Sequence, residues 1–130
     1  MTVLISGGDS DAAMGAYAPG DVAAVRTVTA ARRLLESRID EDLVIVGPDI
    51  ALADACDLAA QLRVSRPSLG LVLVRRRVDA AVLTDALRAG VREVVRLDDL
   101  DGLQECCTRS LHVSALVRET SGHGAVAAAT

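Results

Sequence analysis

Lysine, asparagine, phenylalanine and tryptophan are absent from this 130-residue sequence, and Tyr17 is its only aromatic residue. All fourteen basic residues are therefore arginine. Without a lysine amine the chain cannot form a Schiff base or build a lysine-dependent phosphate loop. Without several aromatic rings it has no platform on which bases could stack. These absences exclude several enzyme classes and disfavour nucleic-acid binding by stacking.

Positive charge is also scarce, since the formal net charge is -4. A phosphate backbone selects for positive charge spread across a whole face, so we expect no direct nucleic-acid partner. Half of the residues are hydrophobic (51%), which at this length is enough for one domain with its own core.

Cysteine is limited to Cys56, Cys106 and Cys107, an odd number with no C-x-x-C pair. Adjacent residues on a helix point about 100° apart, so Cys106 and Cys107 suit neither a disulfide nor a zinc site. No apolar run is long enough for a membrane span or typical of a signal peptide. We therefore expect a cytoplasmic chain with buried thiols, without a metal, a cofactor or membrane insertion.

Leu43-Val44-Ile45-Val46 is an apolar run between the acidic residue Asp42 and the break Gly47-Pro48, and we predict that it forms the central strand. A continuous apolar run of this length is typical of a parallel strand buried on both faces. Four further runs read as strands in the same way: Thr2–Ser6, Val22–Val28, Leu69–Val74 and Glu93–Arg96.

Helices are predicted after each strand, and each prediction includes a capping residue. The expected caps are Asp9 or Ser10, Thr29, Asp49, Asp79, and Asp98 or Asp99. In the third helix we expect Leu52, Cys56, Ala59 and Leu62 to face the core, and in the fourth Val82, Leu83, Ala86 and Leu87. Gly90 should end the fourth helix.

Five strands alternating with five helices predict an α/β fold, a flavodoxin-like doubly wound parallel sheet with order 2-1-3-4-5. We assign residues 1–118 to this domain and residues 119–130, which are rich in small residues and lack periodicity, to a flexible linker towards a further domain.

The ligand crevice of such a sheet lies at the carboxyl ends of the first and third strands. Here those ends carry Ser6, Gly7, Gly8 and Asp9, and Gly47 and Asp49. Gly47 offers no side chain where a reactive group would stand. Asp9 and Asp49 could each bind a metal or cap a helix, and capping is the commoner role of Asp at such positions.

Residues 42–95 resemble a bacterial response-regulator receiver domain. The run Asp42-Leu-Val-Ile-Val-Gly-Pro-Asp49 is similar to the third strand of that family, and Asp85-Ala-Leu-Arg-Ala-Gly-Val-Arg-Glu-Val-Val95 to its fourth helix and fifth strand. The resemblance implies a CheY-like fold over residues 1 to 118.

The resemblance fails at the reactive positions. Receivers have an acidic pair after strand one, a phosphoacceptor aspartate at the end of strand three, a hydroxyl after strand four and a lysine after strand five. This chain has Ser6-Gly7-Gly8, Gly47, Arg75, and Arg96 or Leu97 there. Because magnesium needs clustered carboxylates and phosphoryl transfer needs an acceptor, the substitutions predict a pseudo-receiver that is not phosphorylated and is not an enzyme.

The triplet Arg75-Arg76-Arg77 follows the fourth strand and allows two interpretations. Three guanidinium groups could bind an acidic partner or a phosphate. Alternatively, the loop is solvated and one arginine folds back over the vacated acidic pocket.

The degenerate receiver, its Gly-Pro-Asp and its small-residue tail together resemble the N-terminal domain of CpaE/TadZ-type pilus-assembly proteins, which precedes a ParA/MinD-like ATPase. That resemblance implies protein partners, recruitment to a cell pole or septum, and self-association. Receivers commonly form dimers through helix four, strand five and helix five, which implies a homodimer. We expect intermolecular ion pairs there from the following residues: Arg88, Arg92, Glu93, Arg96 and Asp98. The alternative is a receiver that is phosphorylated on Asp49 or Asp9, or one that senses a small anion.

Overall fold

The computed structural model describes residues 2–7, 11–18, 20–38 and 41–129, with the backbone alone at 11–13 and 121–129. Strands and helices alternate along the chain as the sequence predicts. The strands are β1 (Thr2–Ile5), β2 (Val22–Val25), β3 (Leu43–Val46), β4 (Gly70–Arg75) and β5 (Glu93–Arg96). The helices are α1 (Asp11–Tyr17), α2 (Val28–Ser37), α3 (Leu52–Ser65), α4 (Ala80–Ala89) and α5 (Leu100–Ala129).

The five strands form one parallel sheet in the order β2-β1-β3-β4-β5, which confirms the predicted doubly wound fold. The central strand β3 pairs with β1 on one side, where Ile5 lies opposite Val46, and with β4 on the other. Its four residues are all fully buried.

Alternate strand residues pack into two separate cores because successive side chains point to opposite faces of a sheet. On one face Val44 and Val46 pack with α2, α3 and α4. On the other, Leu43 and Ile45 pack with Met14 of α1 and with α5. This assignment of faces determines which side chains can meet at the carboxyl edge of the sheet.

Several predicted helix ends are confirmed. The Asp79 side chain accepts a hydrogen bond of 2.9 Å from the Val82 amide at the start of α4. Gly90 ends that helix in the left-handed conformation, with φ of 97°. The Asp99 side chain accepts from the Gly102 amide at 3.0 Å at the start of α5. Asp9 and Ser10 lie outside the described residues.

Two predicted caps are wrong. Thr27, not Thr29, caps α2, and its hydroxyl accepts from the Ala30 amide at 3.1 Å. Strand β2 therefore ends at Val25 instead of Val28. Helix α3 begins after Ala51 without any side-chain cap, so Asp49 is not its cap.

The apolar stripes of two helices also differ from the prediction. In α3 Ala59 and Leu62 are buried as predicted, together with Ala55 and Leu58. Leu52 is partly buried against the same core, whereas Cys56 is not part of it. In α4 only Ala86 is buried, whereas Leu83 and Leu87 are exposed. Helix α4 covers an edge strand, which leaves it fewer neighbours than a helix over the centre of the sheet.

Helix α5 corrects the prediction of an irregular tail. Its backbone stays helical to Ala129, beyond the expected end near Val117. The alanines at 125 and 127–129 have the highest intrinsic helix propensity, which outweighs the glycines at 122 and 124. The assignment of residues 119–130 to a segment outside the domain stays a prediction.

Candidate functional site

The crevice predicted at the carboxyl edge of the sheet is formed where β1 and β3 end side by side. The Gly47 amide donates to the Ile5 carbonyl at 2.8 Å, and the Ser6 amide donates to the Val25 carbonyl at 3.0 Å. These bonds extend the sheet by one residue past each strand. Ser6 and Gly47 are thereby brought together, as the sequence predicts.

The space beside Gly47 is filled by neighbouring groups. A Cβ atom placed on Gly47 would lie 3.0 Å from Met14 Cε, 3.1 Å from Ser6 Oγ and 3.2 Å from the Ile5 carbonyl oxygen. Met14 is 0% exposed, and Ser6 is buried as well. A side chain at position 47 would therefore fit only if its neighbours moved by a few tenths of an ångström.

Met14 is the residue that sequence reasoning missed at this site. Nothing in its local pattern distinguishes it from any apolar residue of a short helix. By alternation along their strands, Ser6 and Gly47 face the side of the sheet that α1 and α5 cover. That placement puts Met14 over Gly47.

No metal centre is found within the part of the chain that the structure describes, because no three His, Cys, Asp or Glu side chains cluster there. Gly7 is exposed at the end of β1, while Gly8 and Asp9 lie outside the described residues. Of the crevice residues predicted after strand one, the structure therefore describes only Ser6 and Gly7.

The arginine triplet contributes two contacts to the loop between β3 and α3. Arg75 Nη1 donates to the Ile50 carbonyl at 2.6 Å, and Arg76 Nη2 lies 3.0 Å from Asp49 Oδ1. Arg77 is exposed and forms no hydrogen bond or ion pair with any described residue. Two of the three guanidinium groups are thus engaged within the chain.

The arginines do not cover the position beside Gly47. Leu71 and Leu73 of β4 face α3 and α4, so Arg75, two residues further on, points to that same face. Gly47 faces the opposite side of the sheet. The interpretation of an arginine folded over the vacated pocket is therefore corrected: Met14 fills that space, and Arg75 folds over the β3–α3 loop.

Arg92, expected at a dimer face, is turned into the fold at the opposite edge of the sheet. Its Nη1 donates to the Ser110 carbonyl at 2.8 Å and to Ser114 Oγ at 2.7 Å, and Ser114 Oγ donates to the Asp42 carbonyl at 3.2 Å. Burial lowers the pKa of the Arg92 guanidinium. Arg92 ties α5 to the start of β3 and is not free to pair with another molecule.

The other four charged residues expected at that face do not form one exposed group either. Glu93 pairs with Arg109 at 2.8 Å, and Arg96 pairs with Asp98. These partners raise the pKa of both Arg109 and Arg96 through hydrogen bonds and charge. Arg88 lines a separate groove between α3 and α4 together with Asp57 and Asp85.

A second groove, of about 460 Å³, runs along the outer edge of β5. Leu83 of α4, Val94 of β5 and Arg109 of α5 line it. Leu87 is 59% exposed one turn beyond Leu83, and Val113 is exposed one turn beyond Arg109. We call this surface, formed by Leu83, Leu87, Val94, Arg109 and Val113, the α4–β5–α5 face.

All three cysteines are free thiols; Cys106 and Cys107 are buried as predicted, whereas Cys56 is only partly buried. Burial raises the pKa of each, and for Cys107 it does so to about 12. Cys106 lies against Glu93 and Arg109, and Glu93 further raises its pKa. A thiol with a raised pKa is a poor nucleophile at neutral pH, so these residues do not form a reactive centre.

Solved structures similar to this chain are receiver domains. The signal receiver domain of an HD domain-containing protein from Pseudomonas fluorescens Pf-5 gives a TM-score of 0.77 at 22% identity, over 91% of this chain and 90% of that chain. A pilus assembly-related protein from Burkholderia pseudomallei K96243 gives 0.69 at 22% identity, over 85% and 88%. An atypical orphan response regulator, described as revealing a phosphorylation-independent regulatory mechanism, gives 0.68 at 14% identity, over 85% and 94%.

The chain therefore has the CheY-like fold of response-regulator receiver domains. At these identities the likeness extends to the fold alone. No family model and no curated protein matches the sequence. Among the described helices, none combines the length and the hydropathy that a membrane span requires.

Proposed function

We propose that this chain is a pseudo-receiver, a non-catalytic interaction domain that works without phosphorylation. The carrying observation is the space beside Gly47, which Met14 and Ser6 occupy. A receiver transfers a phosphoryl group to an aspartate at the end of its third strand. Here that position has no acceptor, and a side chain added there would press on Met14 and Ser6, so we infer that the domain acts through its presence instead of through its modification.

Incubation with acetyl phosphate and magnesium, followed by intact-mass measurement, tests this proposal. We expect no phosphoryl adduct on the wild-type chain. An adduct that disappears in Asp49→Asn would contradict the proposal and favour a shifted acceptor. The Asp49 carboxylate argues against that outcome because its Oδ1 already pairs with Arg76.

The α4–β5–α5 face is the surface that we propose for self-association. Its charged groups are paired within the chain, whereas its apolar side chains Leu83, Leu87 and Val113 are exposed. The contact would therefore depend on apolar packing at the centre, with the Glu93–Arg109 pair at its rim. This differs from the ion-paired dimer that the sequence suggested.

Sedimentation of matched variants tests the surface. We expect the wild-type chain to dimerise and Leu87→Asp to shift it to a monomer, because a buried unpaired carboxylate is costly. Val64→Asp is the control, since Val64 is 82% exposed on α3, away from this face. A wild-type chain that stays monomeric at high concentration, or equal effects of the two variants, would refute the assignment.

We further propose a role like that of the N-terminal domain of CpaE/TadZ-type proteins, with recruitment to a cell pole or septum. Its support is the sequence resemblance and the fold shared with a pilus assembly-related protein. Imaging a fluorescent fusion of the chain tests it. Uniform fluorescence in cells that assemble the pilus would count against this role.

A further inference from the structure

The loop between β3 and α3 (residues 47–51) is held from outside by two consecutive arginines. Within the loop, the Ile50 amide donates to the Gly47 carbonyl at 3.3 Å, which closes a tight turn. The Ile50 carbonyl accepts a hydrogen bond of 2.6 Å from Arg75 Nη1. The Asp49 side chain meets Arg76. Asp49 and Ile50 of the loop thus contact Arg76 and Arg75, respectively.

Arg75 is a rigid anchor for this contact. It is the last residue of β4, opposite Arg96 of β5, and its carbonyl accepts from the Leu97 amide at 2.9 Å. The backbone that carries the guanidinium is therefore fixed in the sheet. A charged donor on a fixed support forms a stronger and more directional bond than a surface side chain does.

The start of α3 needs such an anchor because no side chain caps it. Ala51 occupies the capping position and its side chain cannot accept from the free amides of the first turn. Ile50, just before it, packs part of its side chain against the core beneath α3. The contact from Arg75 fixes the residue at which the chain turns into this helix.

The charges around the loop suit a cation at this place. Asp54 lies in the first turn of α3, and Asp49 precedes the helix. Burial, Asp85 and Asp57 raise the pKa of the Cys56 thiol, and the positive charge of Arg75 offsets part of that rise. The carboxylates compensate a guanidinium that would otherwise face the positive end of the helix dipole.

We propose that Arg75 and Arg76 form a permanent clamp that locks the β3–α3 loop and the start of α3 in one conformation. The inference rests on the proposed function in one respect: without a phosphoryl group at this edge of the sheet, contacts within the chain have to order the loop. Fixed contacts from Arg75 and Arg76 thus take the place of a conformational change, so the loop and α3 keep one arrangement.

Amide hydrogen exchange of the full chain, without phosphate or magnesium, tests the clamp. In Arg75→Ala we expect exchange of the Ile50 and Ala55 amides, which donate to the Gly47 and Ala51 carbonyls, to accelerate about tenfold or more, since one charge-assisted hydrogen bond that holds the loop is lost. In Arg76→Ala the acceleration should be about fivefold or less, because its partner pair is exposed. Arg77→Ala is the matched control and should exchange at the wild-type rate.

Amides of β1 and β3 serve as the internal reference and should be unchanged in all three variants. Equal rates at the Ile50 and Ala55 amides in Arg75→Ala and Arg77→Ala would overturn the clamp. So would a uniform acceleration that includes β1 and β3, because it would report global destabilisation. Neither result bears on the acetyl phosphate test, so failure of the clamp and failure of the proposed function remain distinguishable.

Discussion

Adding a single methyl group at Gly47 should destabilise the fold, although glycine-to-alanine changes often stabilise proteins. The new Cβ would lie 3.0 to 3.2 Å from Met14 Cε, Ser6 Oγ and the Ile5 carbonyl oxygen. Optimal contacts between non-bonded carbon atoms are about 3.5–4.0 Å, so Met14 Cε is too close. The contacts with the two oxygen atoms are also tighter than those that Cβ atoms usually make. Met14 Cε can move, but the Ile5 carbonyl is held in the sheet by its bond from the Gly47 amide.

Two opposing contributions determine the size of the effect of Gly47→Ala. Overpacking a tight core costs about 1–3 kcal/mol. Gly47 does not have a positive φ, so alanine is compatible with its backbone and contributes about 0.4–1 kcal/mol of stability by restricting the unfolded chain. We expect a net loss of about 1–2 kcal/mol in the free energy of unfolding. Gly47→Asp should lose more, because it also buries a carboxylate.

Urea denaturation measures these differences, with Gly15→Ala as the control. Gly15 lies in α1, and an added Cβ there would meet nothing within 4 Å, so that variant should gain up to about 1 kcal/mol. In a Met14→Ala background the cost of Gly47→Ala should fall, since the flexible neighbour is gone. If Gly47→Ala is as stable as the wild type, or if Gly47→Asp folds normally and accepts a phosphoryl group, the account of a filled pocket is wrong.

Three further changes test other parts of the fold. Gly70→Ala should cost more than about 2 kcal/mol, because its Cβ would overlap Ser110 Oγ and Arg92 Nη1 and displace the buried guanidinium; a change below about 0.5 kcal/mol in urea denaturation would contradict this. Ser6→Ala should not destabilise the fold, since the Ser6 hydroxyl is buried without a hydrogen-bond partner among the described residues; a clear loss of stability in the same assay would disprove this. The folded-state pKa of Cys107, raised to about 12, lies above its unfolded value of 9.0, so the contribution of this thiol to stability is complete below pH 9 and is lost as the pH rises towards 12. The free energy of unfolding, measured by urea denaturation, should therefore decline less between pH 8 and pH 10.5 in Cys107→Ala than in the wild type. An equal decline in both would refute the assignment.

The sequence by itself determined the layout of the fold and the glycine at the end of its central strand. The buried run ending at Gly47 predicted the central strand, and Asp79 and Gly90 marked both ends of α4 correctly. These features are local: apolar period, capping side chains and a glycine with the right backbone freedom act within a few residues. The glycine that stands at position 47, where receivers have an aspartate, could likewise be read directly from the sequence.

Tertiary structure alone decided which residues meet across the chain. Periodicity identifies an apolar face but not what covers it, so Leu83 and Leu87 were predicted to be buried although α4 lies at the sheet edge. From the sequence, Arg92 was expected to be a surface charge. The Arg92 guanidinium enters the fold because Gly70 has no Cβ atom in its way. Met14 over Gly47, and Arg75 on the opposite face of the sheet, follow from strand order and side-chain alternation. Those contacts join residues that are distant in sequence, and no local pattern specifies them.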